Sequence, residues 1–243
     1  VREGVGLAAV LGAAARGLPW NLAFGGRDRV AGPERFVEMP RKRGEPRITL
    51  LSPTRQTLDN LCQVWAKELP KVKVPPEPEP LATSRSGLDV EALARHVTLK
   101  DRAPANGSST AFLLEHRGAS ALLTADAFPS VLQRALASLA TSRRQPLPWT
   151  LDLIKLSHQG SRADTTTRLL ETVRAPHSLV STNGAIFAHP GQEGMARVIA
   201  SGTPGLEAWV AFRTPRTEVW AGASPQARSG RTLQPFGLPA WHG

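Results

Sequence analysis

From Ala111 onward, short apolar runs alternate with longer amphipathic segments, and this alternation restricts the fold more than any other feature of the chain. AFLLE (Ala111 to Glu115) and SALLT (Ser120 to Thr124) flank a turn at Gly118, which predicts a hairpin. Ser130 to Leu139 and Thr167 to Val173 have helical spacing, whereas LDLIKL (Leu151 to Leu156) and Ser178 to Ser181 read as strands. Glu193 to Ala200 predicts a helix, and Glu207 to Phe212 with Thr217 to Trp220 predicts a last hairpin. Strand, helix, strand in succession is the layout of an α/β domain.

The first hundred residues are less regular. Residues 1–17 predict an amphipathic helix ending at Gly17, followed by a loop through Gly25-Gly26. Arg47 to Leu51 reads as a strand running into Ser52, a helix cap, with Pro53 at the first helical position. Leu58, Leu61, Trp65 and Leu69 then recur at helical spacing, so that helix turns one face inward. Pro70 to Pro80 (PKVKVPPEPEP) has the composition of an extended connector on the surface of one domain spanning 1–221. The Gly, Ser, Pro and Arg rich tail at 222–243 is expected to be flexible.

No apolar run approaches the roughly 20 residues of a membrane span, so no membrane partner is expected. The stretch Leu7 to Ala15 is short, is interrupted by Gly12, and follows Glu3 where a secretion signal would be basic. A single cysteine, Cys62, excludes an intrachain disulfide and a cysteine-built zinc site, which fits a reducing cytoplasm. The formal charge of +10 favours anionic partners and weak non-specific attraction to nucleic acid. Only Arg41-Lys42-Arg43 and Arg143-Arg144 cluster, without aromatic residues between them to stack bases. A basic nucleic-acid-binding module is therefore an alternative reading rather than the leading one.

Two polar residues stand where apolar strands stop: Asp126 after ALLTA and His158 after LDLIKLS. Strand ends facing a crevice are where α/β proteins place their sites. A carboxylate and an imidazole in that position suit a divalent metal. The competing role for Asp126 is the cap of the helix beginning near Pro129.

The segments NGSSTAFLLEHRGASALLTADAFPSVL, LDLIKLSHQGSRADTT and STNGAIFAHP resemble the C-terminal motifs of stand-alone metallo-β-lactamase-fold hydrolases, including the corresponding domain of DNA-uptake competence proteins. The matches run from Asn106, Ser108 and Ser109 through Asp126 to Lys155, His158, Gly160, Ser161, His189 and Pro190. They cover roughly residues 101–190. The resemblance implies an α/β fold of four layers, the αββα sandwich, with Asp126 as the metal-bridging carboxylate and His158 as a ligand of the second metal. It also implies that Asn106, Ser161, Asn183 and His189 line the substrate side. Its cofactor would be a pair of divalent ions, most often zinc, and its substrate a phosphodiester or another anionic ester.

The chain departs from that family at definite positions. It has no His-x-His-x-Asp-His block, since His96, His116, His158, His177, His189 and His242 never fall close enough together. Gln159 stands where the family has a second histidine and Ala125 where it has glycine. Where many relatives place a further histidine, this chain offers Asn106 or Asp101. His177 matches no motif. A catalytic zinc normally needs three protein ligands, and Asp126 with His158 supplies two. The expectation is a chain whose first strands and metal-binding loop are missing, inactive and poorly soluble by itself, with Val1 in place of methionine as the supporting sign. A degenerate, non-catalytic binding or assembly subunit of the same fold is the alternative.

Overall fold

The structure is a computed structural model that describes residues 24, 30–32, 36–68, 88–185, 187–202, 205–220 and 232–235. The helix expected over 1–17 and the connector at 70–80 lie outside the described residues. The described chain is mixed α/β. In order it runs β1 (Val37–Glu38), β2 (Arg47–Ser52), α1 (Arg55–Glu68), α2 (Val90–Arg95), α3 (Pro104–Gly107), β3 (Ala111–His116), β4 (Ala119–Leu123) and α4 (Pro129–Ser142). There follow β5 (Trp149–Thr150), β6 (Leu153–Lys155), a 3-10 turn (Ser157–Gly160), α5 (Thr167–Leu170), β7 (Val173–Arg174), β8 (His177–Val180), α6 (Gln192–Ser201), β9 (Glu207–Val210), α7 (Pro215–Glu218) and β10 (Thr232–Pro235). No helix among the described residues is long and apolar enough to cross a membrane.

One sheet has the order β1-β2-β3-β4-β6-β8-β9-β10, and a two-stranded piece pairs β5 with β7. The first four strands are antiparallel neighbours. From β4 onward every pairing is parallel. The β3–β4 hairpin closes through Arg117 and Gly118, both at positive φ (49° and 85°). That is the two-residue turn whose twist matches the strands, and glycine enters it without steric cost.

A single row of side chains carries the packing across the sheet: Thr49, Leu113, Leu122, Ile154, Ser178 and Ala208 are register neighbours in successive strands. All six are buried. Helix α4 belongs to the same core through Leu132, Ala135, Leu136, Leu139 and Ala140, a spacing that keeps one helical stripe apolar. The opposite row, with Phe112, Leu123, Lys155, Leu179 and Trp209, is only half-buried.

Several local expectations are corrected. Ser52 ends β2 instead of capping a helix. The cap is Thr54, whose hydroxyl accepts from the Thr57 amide while the Thr57 hydroxyl accepts from the Thr54 amide. Helix α5 stops at Leu170, and Val173 joins a short strand instead, because the Thr172 hydroxyl turns back to the Arg168 carbonyl and the Thr172 carbonyl accepts from Trp149. Thr217 to Trp220 does not form a strand. Thr214 caps a helical turn there, with Pro215 at its first position and a reciprocal pair of bonds to Thr217. Strand β10, within 222–243, pairs in parallel with β9.

Candidate metal centre

Parallel strands β4, β6 and β8 deliver their C-terminal loops to one end of the sheet, so residues far apart in sequence converge there. The loop after β4 carries Asp126. The loop after β6 carries His158 and Asp164, and the loop after β8 carries Asn183 and His189. The first two loops are stitched together: the His158 amide donates to the Ala125 carbonyl (2.7 Å), and the Thr124 hydroxyl donates to the Lys155 carbonyl (2.6 Å).

Backbone strain concentrates at the same junction. Ala125, His158 and Gln159 adopt positive φ (46°, 45° and 57°), the left-handed region that costs a side-chain-bearing residue roughly 1 kcal/mol or more. Ala125 is the simplest test. Ala125→Gly is expected to stabilise the protein by about 0.5–1 kcal/mol, read by urea unfolding, because glycine adopts this φ without the Cβ penalty. A destabilised variant would show that the alanine conformation is not the one described.

The cluster that could hold a metal ion is Asp101, His158 and Asp164, whose donor atoms all lie within 4.8 Å of one another. His158 Nδ1 is 3.0 Å from Asp164 Oδ2 and 3.6 Å from Asp101 Oδ2. Asp164 is completely buried, and its Oδ1 has no hydrogen-bond partner among the described residues. A buried carboxylate with an unmet oxygen is costly unless a cation sits beside it. Asp101 is fixed from two directions, since its Oδ1 accepts from the Ala103 amide (2.7 Å) and its Oδ2 from the Asn106 side-chain amide (2.6 Å).

The hydrogen bond to Asp164 raises the pKa of His158 above the ordinary histidine value; burial opposes this, and the negative charges of Asp126, Asp164 and Asp101 add to the rise. Nδ1 thus lies between two carboxylates, a setting that favours the protonated imidazole. His189 behaves oppositely. Burial lowers its pKa to about 4, with help from the positive charges of His158, Arg216 and Arg162, so this ring is neutral at neutral pH. It packs edge-on against His158 at 4.8 Å between ring centroids and stacks with Phe187 at 6.0 Å. Burial also lowers the pKa of Lys155, against the pull of Asp126.

The residues singled out from sequence take different places. His158 is the centre of the cluster. Asp126 acts electrostatically on His158 and Lys155 but is not one of the three grouped ligands. Nor does it cap α4, whose N-cap is Phe128 without a side-chain bond. Asn106 holds Asp101 and comes within 3.5 Å of His158 Nδ1. Ser161 is buried inside its own loop, its Oγ accepting from the Ala163 amide. Asn183 is exposed and its Oδ1 accepts from the Ala185 amide. His177 sits on β8, at its start, 3.4 Å from Glu207 across the strand pair. Asp164 was not foreseen. The only sequence signal for it is a polar run, SRADTT, directly after the His158 turn.

No family model, no curated protein and no solved structure matches this chain.

Proposed function

We propose that this chain is a metal-dependent hydrolase domain of the metallo-β-lactamase type, acting on an anionic ester such as a phosphodiester. The observation that carries the reading is the buried Asp164 carboxylate holding His158 at the mouth of parallel strands, with Asp101 facing the same imidazole nitrogen. Two carboxylates and an imidazole form a mixed oxygen and nitrogen donor set that suits zinc or manganese. A divalent ion there would supply a hydroxide near neutral pH by lowering the pKa of bound water.

The residues have separable tasks under this reading. Asp101, His158 and Asp164 hold the ion, and Asn106 fixes the Asp101 carboxylate. Asp126 lends negative charge beside His158. Arg162 and Arg216, close enough to act on His189, supply the positive side that an anionic substrate needs. The αββα sandwich belongs to the same proposal, with the half-buried row through Phe112, Leu123 and Leu179 as the face such a sandwich packs against a second sheet.

A second reading, a non-catalytic relative that binds the ion without turnover, is favoured by Gln159 standing where the resembled family has a histidine. Equilibrium dialysis of the full chain against Zn²⁺ and Mn²⁺, followed by an assay on a chromogenic phosphodiester, separates the two. Because the chain itself brings three donors together, where Asp126 and His158 alone would supply two, tight binding that His158→Ala abolishes, with turnover, is the result expected on the first reading. Binding without turnover selects the second reading. No binding by the unaltered chain overturns both.

A further inference from the structure

Arg197, on α6, is only 5% exposed, yet no carboxylate bonds to it among the described residues. Its guanidinium instead spends its donors on backbone and hydroxyl oxygens of two distant segments. On one side Nη1 donates to the carbonyls of Arg162 (2.6 Å) and Thr165 (3.1 Å). On the other, Nη2 donates to the His96 carbonyl (2.6 Å) and the Thr98 hydroxyl (3.2 Å), and Nε to the Ala94 carbonyl (3.3 Å). Thr98 closes the ring by donating its own hydroxyl to the Arg162 carbonyl (2.8 Å).

What these segments carry gives the arrangement its meaning. Arg162 and Thr165 bracket Asp164, while Ala94, His96 and Thr98 lead into Asp101. A buried cation is expensive unless every donor finds an acceptor, and a planar fork of fixed geometry is the side chain suited to tying two backbones at set distances. Helix α6 reinforces the tie, because Gly194 rests against the Gly160 carbonyl in the turn that follows His158.

We propose that Arg197 is a positioning residue that sets the separation of Asp101 and Asp164 across His158, so that the pair closes on a divalent cation. The inference rests on the metal-centre reading above for its consequence but not for its geometry. A lysine at 197 keeps the charge and loses the fork, so it cannot hold both segments at once.

The test uses the full chain, Arg197→Lys, and Val198→Ala as a control that removes buried packing from the same helix while leaving the guanidinium and its acceptors in place. Two quantities are read: the Nδ1–H resonance of His158 in chelator, which reports its bond to Asp164, and the affinity for Zn²⁺. Arg197→Lys is expected to lose the resonance and to bind Zn²⁺ roughly 10–100-fold more weakly, the usual effect of disturbing groups that orient ligands. Val198→Ala should change neither. The proposal fails if the lysine variant keeps both properties, or if the control loses them equally. If Arg197→Lys shows no folded circular-dichroism spectrum, Thr98→Val decides, with a several-fold weaker affinity expected and an unchanged one overturning the idea. If the unaltered chain binds no Zn²⁺, the metal-centre reading falls, and the resonance alone decides whether Arg197 holds the Asp164–His158 pair.

Discussion

Asp164→Asn is expected to weaken Zn²⁺ binding by roughly 10–100-fold and to change the pH dependence of stability in chelator. The carboxylate is wholly buried and its bond to His158 is the largest cause of that histidine's raised pKa. The sign follows from linkage. A group whose folded pKa is raised contributes stability that is fully present below its unfolded value, near 6.5, and is lost as pH rises through the folded value. Asparagine removes that contribution. Thermal unfolding in chelator should therefore show the widest gap between the wild type and the variant below the unfolded value near 6.5, narrowing as pH rises above it. In the same alkaline direction, metal affinity of the wild type should increase, because the ion must displace the His158 proton. A gap that widens toward alkaline pH would show that His158 does not carry its proton against Asp164.

Gly194→Ala should produce the largest loss of stability from a single added methyl, about 1–3 kcal/mol by chemical denaturation. A Cβ on Gly194 would lie 2.5 Å from the Gly160 carbonyl oxygen and 3.2 Å from that of Ser161. Both are backbone atoms of the loop that bears the candidate ligands, so the strain is relieved only by moving α6 or that loop. Weaker Zn²⁺ binding should accompany the lost stability. Gly202→Ala is the comparison: its closest contact would be Leu206 Cδ2 at 2.4 Å, the end of a side chain, with the Val198 carbonyl oxygen at 3.0 Å and Leu206 Cβ at 3.1 Å, so a smaller cost is expected than where a carbonyl oxygen lies at 2.5 Å. Equal effects at the two positions would mean that α6 has freedom to slide.

The sequence carried the elements whose periodicity is strong. The β3–β4 hairpin, α4 and α6 are legible because apolar residues recur at periods of two or near 3.6 and turn residues bound them. Thr217 to Trp220 misled because β-branched residues and a tryptophan resemble a strand, while the deciding signal was the cap Thr214-Pro215 just before it. Ser52 and Thr54 both precede the helix, and only tertiary structure chooses between them, since β2 extends through Ser52 to pair with Ala111.

The site was half legible for a related reason. His158 stands out because it ends an apolar run. Asp101 surfaced only as a stand-in for an expected histidine. Asp164 lies in a loop without periodicity, and its burial depends on strands and helices elsewhere in the chain. Arg197 looks in sequence like one more cation of a basic protein, on a helix whose neighbours Ala196, Val198 and Ile199 are buried too. Nothing local distinguishes a cation that faces water from one that faces five oxygens.

The register row that runs from Thr49 to Ala208 has a consequence for the order of assembly. The β3–β4 pairing is local, whereas β2 must find β3 across the intervening helices, and each parallel pairing waits for a crossover to close. Contacts distant in sequence form late because chain closure must precede their reward. Asp101, His158 and Asp164 meet only when β4 and β6 are already side by side, so an ion bound there as proposed would be held only late in assembly. It would then act as a lock on the finished protein, lengthening its lifetime against unfolding while leaving the speed of folding unchanged.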